Sequence, residues 1–199
     1  MAVRTLFVAA AVVALTAGCT INRPVTDDYG QYLSNNTNAG KLPTAHAAQQ
    51  YYLPPATQQH HYEFRSAMAG QANLWVVEFG KVLDATMQSA DVVAALGALG
   101  KADTDKPASG NTLVFDLQNY AFADHGAHIS LRISIRNAQG ETFGKTYQAD
   151  GNSQGAKMFF AGAFGMKNAV QQSTKLAMDT IMGQFIRDLN AAANAVAKQ

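Results

Sequence analysis

The chain has 199 residues, 48% of them hydrophobic, with 15 basic against 14 acidic side chains. That length suits one compact domain and is short for two, and the balanced charge carries no electrostatic footprint for a nucleic acid. The 16 glycines and five prolines exclude a collagen-like or wholly disordered chain, and the single cysteine excludes an internal disulfide and any multi-cysteine zinc or iron–sulfur centre.

The chain opens Met-Ala-Val-Arg and continues through the apolar run LFVAAAVVAL at residues 6–15. As a helix this run rises about 15 Å, roughly half the hydrocarbon core of a bilayer. Residues 1–18 therefore read as a signal peptide, with Arg4 as its positive n-region, and not as a spanning helix. The run Leu15-Thr16-Ala17-Gly18-Cys19 ends on the sole cysteine and resembles the bacterial lipobox, with Thr16 where leucine is more usual. That resemblance implies a diacylglycerol on the Cys19 thiol, cleavage before Cys19 and acylation of the new amine. More than one acyl chain makes a stable anchor. By the sorting rule of enteric bacteria, the resemblance also implies that Thr20, not being Asp, sends the protein to the outer membrane, facing the periplasm.

Residues 19–59 are rich in Asn, Gln, Thr and Ala and hold four of the five prolines. Neither a 3.6-residue nor a two-residue period persists there, so they are expected to form a flexible lipidated tether of about 30–40 Å as a coil. Tyr29, Tyr32, Tyr51 and Tyr52 are more aromatics than a pure spacer carries. Tyr51-Tyr52-Leu53-Pro54-Pro55 docks either on the protein's own domain or on a partner.

The folded domain is expected over residues 60–199. Residues 61–68 alternate, with Tyr62, Phe64 and Ser66 on one side, as in a short strand. Residues 74–99 place Trp75, Phe79, Val82, Leu83, Thr86 and Met87 on one helical face, with Asn73 as a cap; Ser89 and Asp91 divide the helix. Gly80 inside that helix implies close packing against the sheet. Residues 101–110 are a polar loop. Three strands follow, at 112–123, 128–136 and 141–149. The middle one is the sharpest: Ile129, Leu131, Ile133 and Ile135 face one way and Ser130, Arg132, Ser134 and Arg136 the other. Asp124-His125-Gly126-Ala127 and Asn137-Ala138-Gln139-Gly140 supply the turns. Residues 167–197 return to helical spacing, with Val170, Thr174, Ala177, Ile181, Phe185 and Leu189 as the apolar stripe. The expected fold class is α+β: two layers, an antiparallel sheet of about four strands in the order β-α-β-β-β-α, covered on one face by two helices.

The sequence Val82-Leu83-Asp84-Ala85-Thr86-Met87, the Tyr147-Gln148-Ala149 strand with Gly155-Ala156 after it, and the long final helix resemble small outer-membrane lipoproteins of the YajG-like type. The order of elements is also similar to the lipoprotein plug of the lipopolysaccharide translocon and to lipoprotein activators of peptidoglycan synthases. Both act by binding envelope proteins. The resemblance implies a non-enzymatic accessory role and carries over no site residue.

Few residues suggest chemistry of their own. Asp124, His125 and His128 flank a hairpin turn where imidazoles and a carboxylate could hold zinc or copper; the alternative is that the turn uses Asp and Gly for backbone reasons and its histidines are solvated. No Gly-x-Ser-x-Gly elbow is present, and Asn152-Ser153-Gln154-Gly155 lacks the strand–turn–helix context of one. Lys157 is not placed for a phosphate loop. No cofactor is implied. The uncharged stretch at 158–166, with Phe159, Phe160 and Phe164, either packs beneath the helices or forms an exposed patch for a partner or a lipid surface. Arg132 and Arg136 on the open sheet face either meet a protein or glycan or are simply solvated. The expected function is that of an outer-membrane-anchored lipoprotein with a periplasmic binding domain, in contact with the membrane through Cys19 and with an envelope protein or cell-wall glycan. A ligand- or metal-binding module is the alternative, and a hydrolase a third.

Overall fold

The computed structural model describes residues 20–38, 41–45, 48–153 and 155–196. In chain order the elements are β1 (Ile21–Pro24), α1 (Tyr29–Asn35), β2 (Gln50–Tyr52), α2 (Pro55–Gln58), β3 (His61–Phe64), a 3-10 turn (Ala67–Ala69), β4 (Asn73–Glu78), α3 (Phe79–Met87), α4 (Ala90–Leu96), β5 (Gly100–Lys101), β6 (Thr112–Ala123), β7 (Gly126–Asn137), β8 (Gly140–Asn152) and α5 (Gly155–Val196). The fold is α+β, as expected. The strands are more numerous than expected and form two sheets, a three-stranded one in the order β1-β4-β3 and a five-stranded one in the order β5-β2-β6-β7-β8.

The antiparallel meander β6-β7-β8 follows the sequence pattern closely. Ile129, Leu131, Ile133 and Ile135 are buried, and α5 packs across β7 and β8 on that side. All six residues of the predicted α5 stripe, Val170 to Leu189, are buried. Strand β6 changes phase midway: Leu113 and Phe115 are buried at odd positions, Tyr120 and Phe122 at even ones. A register shift between Leu117 and Asn119 inserts the extra residue, the ordinary consequence of a β-bulge. Without it, Tyr120 and Phe122 would point away from the core.

The expectation of a flexible tether over residues 19–59 is corrected. Strand β1 runs parallel to β4, pairing Ile21 with Asn73, and β2 runs parallel to β6, pairing Gln50 with Thr112. Val25, Tyr29, Leu33, Tyr51 and Leu53 are all buried in the main core. Each large apolar side chain buried this way contributes about 1.5–3 kcal/mol, which offsets the ordering of a polar segment. Of the two roles for Tyr51, docking on the protein's own domain is the one found, and its hydroxyl donates to Asp84 Oδ1 at 3.1 Å.

Three smaller corrections follow from packing. Residues 74–78 belong to β4 and not to the helix, so Trp75 reaches the core from a strand, against Phe64. Gly80 is buried against the end of α2 and not against the sheet: a Cβ there would collide with the Gln58 carbonyl. Lys175, which is not part of the predicted apolar stripe, is buried and donates to Asp179 at 2.6 Å and to Asp91 at 3.3 Å. Asp91 also accepts from the Asn38 backbone at 3.0 Å, and Asp179 from the Asn38 side chain at 2.9 Å. This paired cluster ties α4, α5 and the segment after α1 together. No helix among the described residues is long and apolar enough to cross a membrane.

Candidate functional site

Three regions hold the residues singled out by the sequence. The first is the face of β6-β7-β8 turned away from α5. Arg132 and Arg136 do share it, as alternation requires, together with Ser130 and the buried Ser134. Arg132 donates to Glu141 across the hairpin and stands opposite Asp116 in register. Arg136 pairs with Asp105 and lies 3.7 Å from Glu141. Both guanidinium groups are thus already matched by carboxylates, so an anionic ligand would have to displace Asp105 or Glu141. The face suits a polar, weakly charged partner better than an acidic one. Tyr52, Pro54 and Asp116 complete a groove of about 230 Å³ beside these arginines. Lys145 lies on the other side of the sheet, bonded to Asp188 of α5 at 2.7 Å.

Sequence reasoning missed Tyr52, Asp105 and Glu141 on this face. Glu141 was findable, since the Asn137–Gly140 turn sets it beside Arg136. Asp105 was not, because its position depends on the fold of an irregular loop. Tyr52 was not, because nothing local in the sequence pairs β2 with β6.

The second region is the Asp124–His125 turn. Both residues take positive φ, 49° and 64°, which Asp tolerates better than most side chains. They are turn formers here. His128 stands on β7 with Nδ1 at 2.7 Å from Asp150 Oδ1 and Nε2 at 3.3 Å from the Ala123 carbonyl. Both its nitrogens are engaged, and the Asp150 carboxylate raises its pKa. Among the described residues no three ligating side chains converge, so the proposed centre of Asp124, His125 and His128 is corrected to a backbone turn with one structural ion pair. The carboxylates of the opposite helix act likewise: Lys145 and Tyr147 bond Asp188 and hold it below its usual range.

The third region is the start of α5. This helix is broken at Gly162, whose φ of 53° and ψ of −129° lie outside the helical region and are accessible without strain only to glycine. After the break Ala163 is half-buried and Met166 buried, while Phe164 is 85% exposed. Of the two readings for this stretch, Phe164 takes the exposed one. The side chains of Phe159 and Phe160 lie outside the described residues, as does Cys19.

Close to this region lies Thr20, the first of the described residues. Arg65 donates to Thr20 Oγ1 at 3.0 Å and to the Gln71 carbonyl at 2.5 Å, and the Ile21 amide donates to the Ala72 carbonyl at 2.9 Å. Arg65 also lines a groove of about 210 Å³ with Phe64, Phe122, Asp124, His125 and Met166. A larger cleft of about 610 Å³ separates α1 from α3, with Asp27, Lys81 and Asp84 on its walls. Lys81 there is already paired with Asp27 and Glu78, and Asp84 with Lys101.

No family model and no curated protein matches the sequence. Solved structures do resemble it. One is the crystal structure of protein XCC0632 from Xanthomonas campestris, assigned to the family model DUF330, at 13% identity and a TM-score of 0.45; the match covers 79% of this chain and 94% of that one. Another is the crystal structure of an uncharacterised protein, at 12% identity and a TM-score of 0.39, covering 74% of this chain and 98% of that one.

Proposed function

We propose that the protein is a lipid-anchored, non-enzymatic binding domain of the outer membrane that faces the periplasm and serves as an accessory to an envelope protein or a cell-wall glycan. One observation carries the reading: Thr20, which follows Cys19 in the sequence, is held against the domain by a hydrogen bond from Arg65. Acyl chains on Cys19 would therefore hold a folded domain directly at the bilayer, with little chain between. The signal-like run at 6–15, the lipobox-like run at 15–19 and the YajG-like order of elements support the same reading. The helix-free face of β6-β7-β8, polar and internally charge-balanced, supports contact with a partner through hydrogen bonds.

Metabolic labelling with an alkyne palmitate, followed by membrane fractionation, tests the anchor. The wild-type chain is expected labelled in the outer membrane, and Cys19→Ala unlabelled and absent from it. In-cell crosslinking of the tagged wild-type protein then tests the accessory role. A specific envelope complex, lost with Cys19→Ala, is the expected result; a soluble, unlabelled wild-type chain would sink the reading.

A further inference from the structure

We infer that the end of the domain carrying Thr20 rests on the bilayer surface, with the Phe164 ring seated among the headgroups and upper acyl chains of the lipid that holds Cys19. This rests on the acylated-Cys19 reading and adds an orientation to it.

The first argument is the lack of slack. Consecutive Cα atoms are about 3.8 Å apart, so Thr20 lies one peptide from the acylated residue. The Ile21 amide is already hydrogen-bonded to Ala72. A domain attached this closely must turn some surface to lipid, and the surface around Thr20 has the shortest path. The second argument is what that surface carries. The exposed large apolar side chains among the described residues are Ile21 at 44%, Val93 at 37%, Leu176 at 42% and Phe164 at 85%. Ile21 is on the anchor strand itself. Phe164 belongs to the same end: it stands two residues before Met166, which shares a groove with Arg65, and Arg65 bonds Thr20. An aromatic ring this exposed is poorly placed in water and well placed at a membrane interface, where aromatics concentrate.

The third argument is the break at Gly162. It interrupts the helical path just before Phe164, so the ring stands in the first turn of the segment that follows the break. Arg65, exposed beside Thr20, spends both terminal nitrogens on Thr20 and the Gln71 carbonyl and adds a positive charge at this end that anionic lipid headgroups attract. This orientation also fixes what points away. The Asp124–His125 turn is at the lipid end, since it lines the Arg65 groove. Strand β7 runs from there toward the Asn137 turn at about 3.3 Å per residue. The Arg132, Arg136 and Glu141 cluster is thereby held roughly 20–35 Å from the bilayer, facing the periplasm.

The test uses the full lipidated protein reconstituted in vesicles of phosphatidylethanolamine and phosphatidylglycerol, with lipids brominated high on the acyl chains. Phe164→Trp adds an indole at the proposed contact, and Gln139→Trp adds one at the exposed far turn. The native Trp75, 1% exposed, is the baseline. The new indole of Phe164→Trp is expected to shift its emission to the blue and lose most of it to bromine, while Gln139→Trp and wild type do not. If Phe164→Trp floats with the vesicles, is acylated and yet keeps its emission, the orientation is wrong. Quenching of Gln139→Trp would equally overturn it. Wild-type protein purified without acyl chains would overturn the anchored reading and this inference together.

Discussion

The meander β6-β7-β8 and the N-terminal quarter of the fold are built on opposite rules. In the meander each strand returns on its neighbour through a short turn, from Ala123 to Gly126 and from Asn137 to Gly140. In the N-terminal region the strands are three or four residues long and reach distant partners in parallel: Ile21 finds Asn73, and Gln50 finds Thr112. A long antiparallel strand with one covered face leaves an alternating sequence, whereas a short parallel strand leaves almost none. The two regions also differ in how they are held. The meander has its own ladder of backbone bonds, but β1 and β2 depend on Val25, Tyr29 and Tyr51 reaching a core that the rest of the chain builds. The closure of long loops has to occur before those contacts form, so the N-terminal segment is expected to dock after the meander.

The largest effect that could break this comparison is at Tyr29. If residues 20–59 are part of the core, Tyr29→Ala costs about 3 kcal/mol or more in urea unfolding; if they are a tether, it costs nothing. Lys175→Ala is next. It strands the buried Asp91 carboxylate, and breaking a buried pair costs about 3 kcal/mol. The double variant Lys175→Met with Asp91→Asn keeps an acceptor for the Asn38 amide and leaves only the part-exposed Asp179 without its lysine, so it is expected to recover part of that loss, which separates the removed charge from lost packing. Gly80→Ala sharpens the picture of how α2 meets α3. The added methyl meets the Gln58 backbone, and the expected cost is about 1–3 kcal/mol, read as a lower thermal midpoint.

The smallest effect lies in the meander. The His128 pKa is raised by Asp150, so the pair stabilises the fold fully below the unfolded value of about 6.5 and the contribution is lost as pH rises through the folded value. Both groups are solvent-exposed, and the expected size is a few tenths of a kcal/mol. Comparing Asp150→Asn with wild type between pH 5 and 8, a window set by about the ordinary imidazole range, should show the stability gained toward low pH reduced in the variant. An unchanged slope would assign it to another group.

The sequence by itself determined what depends on near neighbours. Alternation at 128–136 placed β7 and its faces, helical spacing placed the α5 stripe, and the two turns set the hairpin register. The apolar run at 6–15, with the only cysteine four residues beyond it, is equally a local pattern. Only the tertiary structure decided the rest. It placed Trp75 on a strand, because β4 lies between its near neighbour β3 and β1, which arrives from far away in the chain. It fixed the bulge between Leu117 and Asn119, through the pairing with β7, where the apolar positions of β6 shift from odd to even and Tyr120 and Phe122 turn inward. It buried Lys175, because Asp91 arrives on another helix. It drew residues 20–59 into the core through a handful of apolar anchors in a polar segment. It also left Phe164 exposed just past the helix break at Gly162, which residue type could not decide: a phenylalanine suits an interior as well as a surface contact.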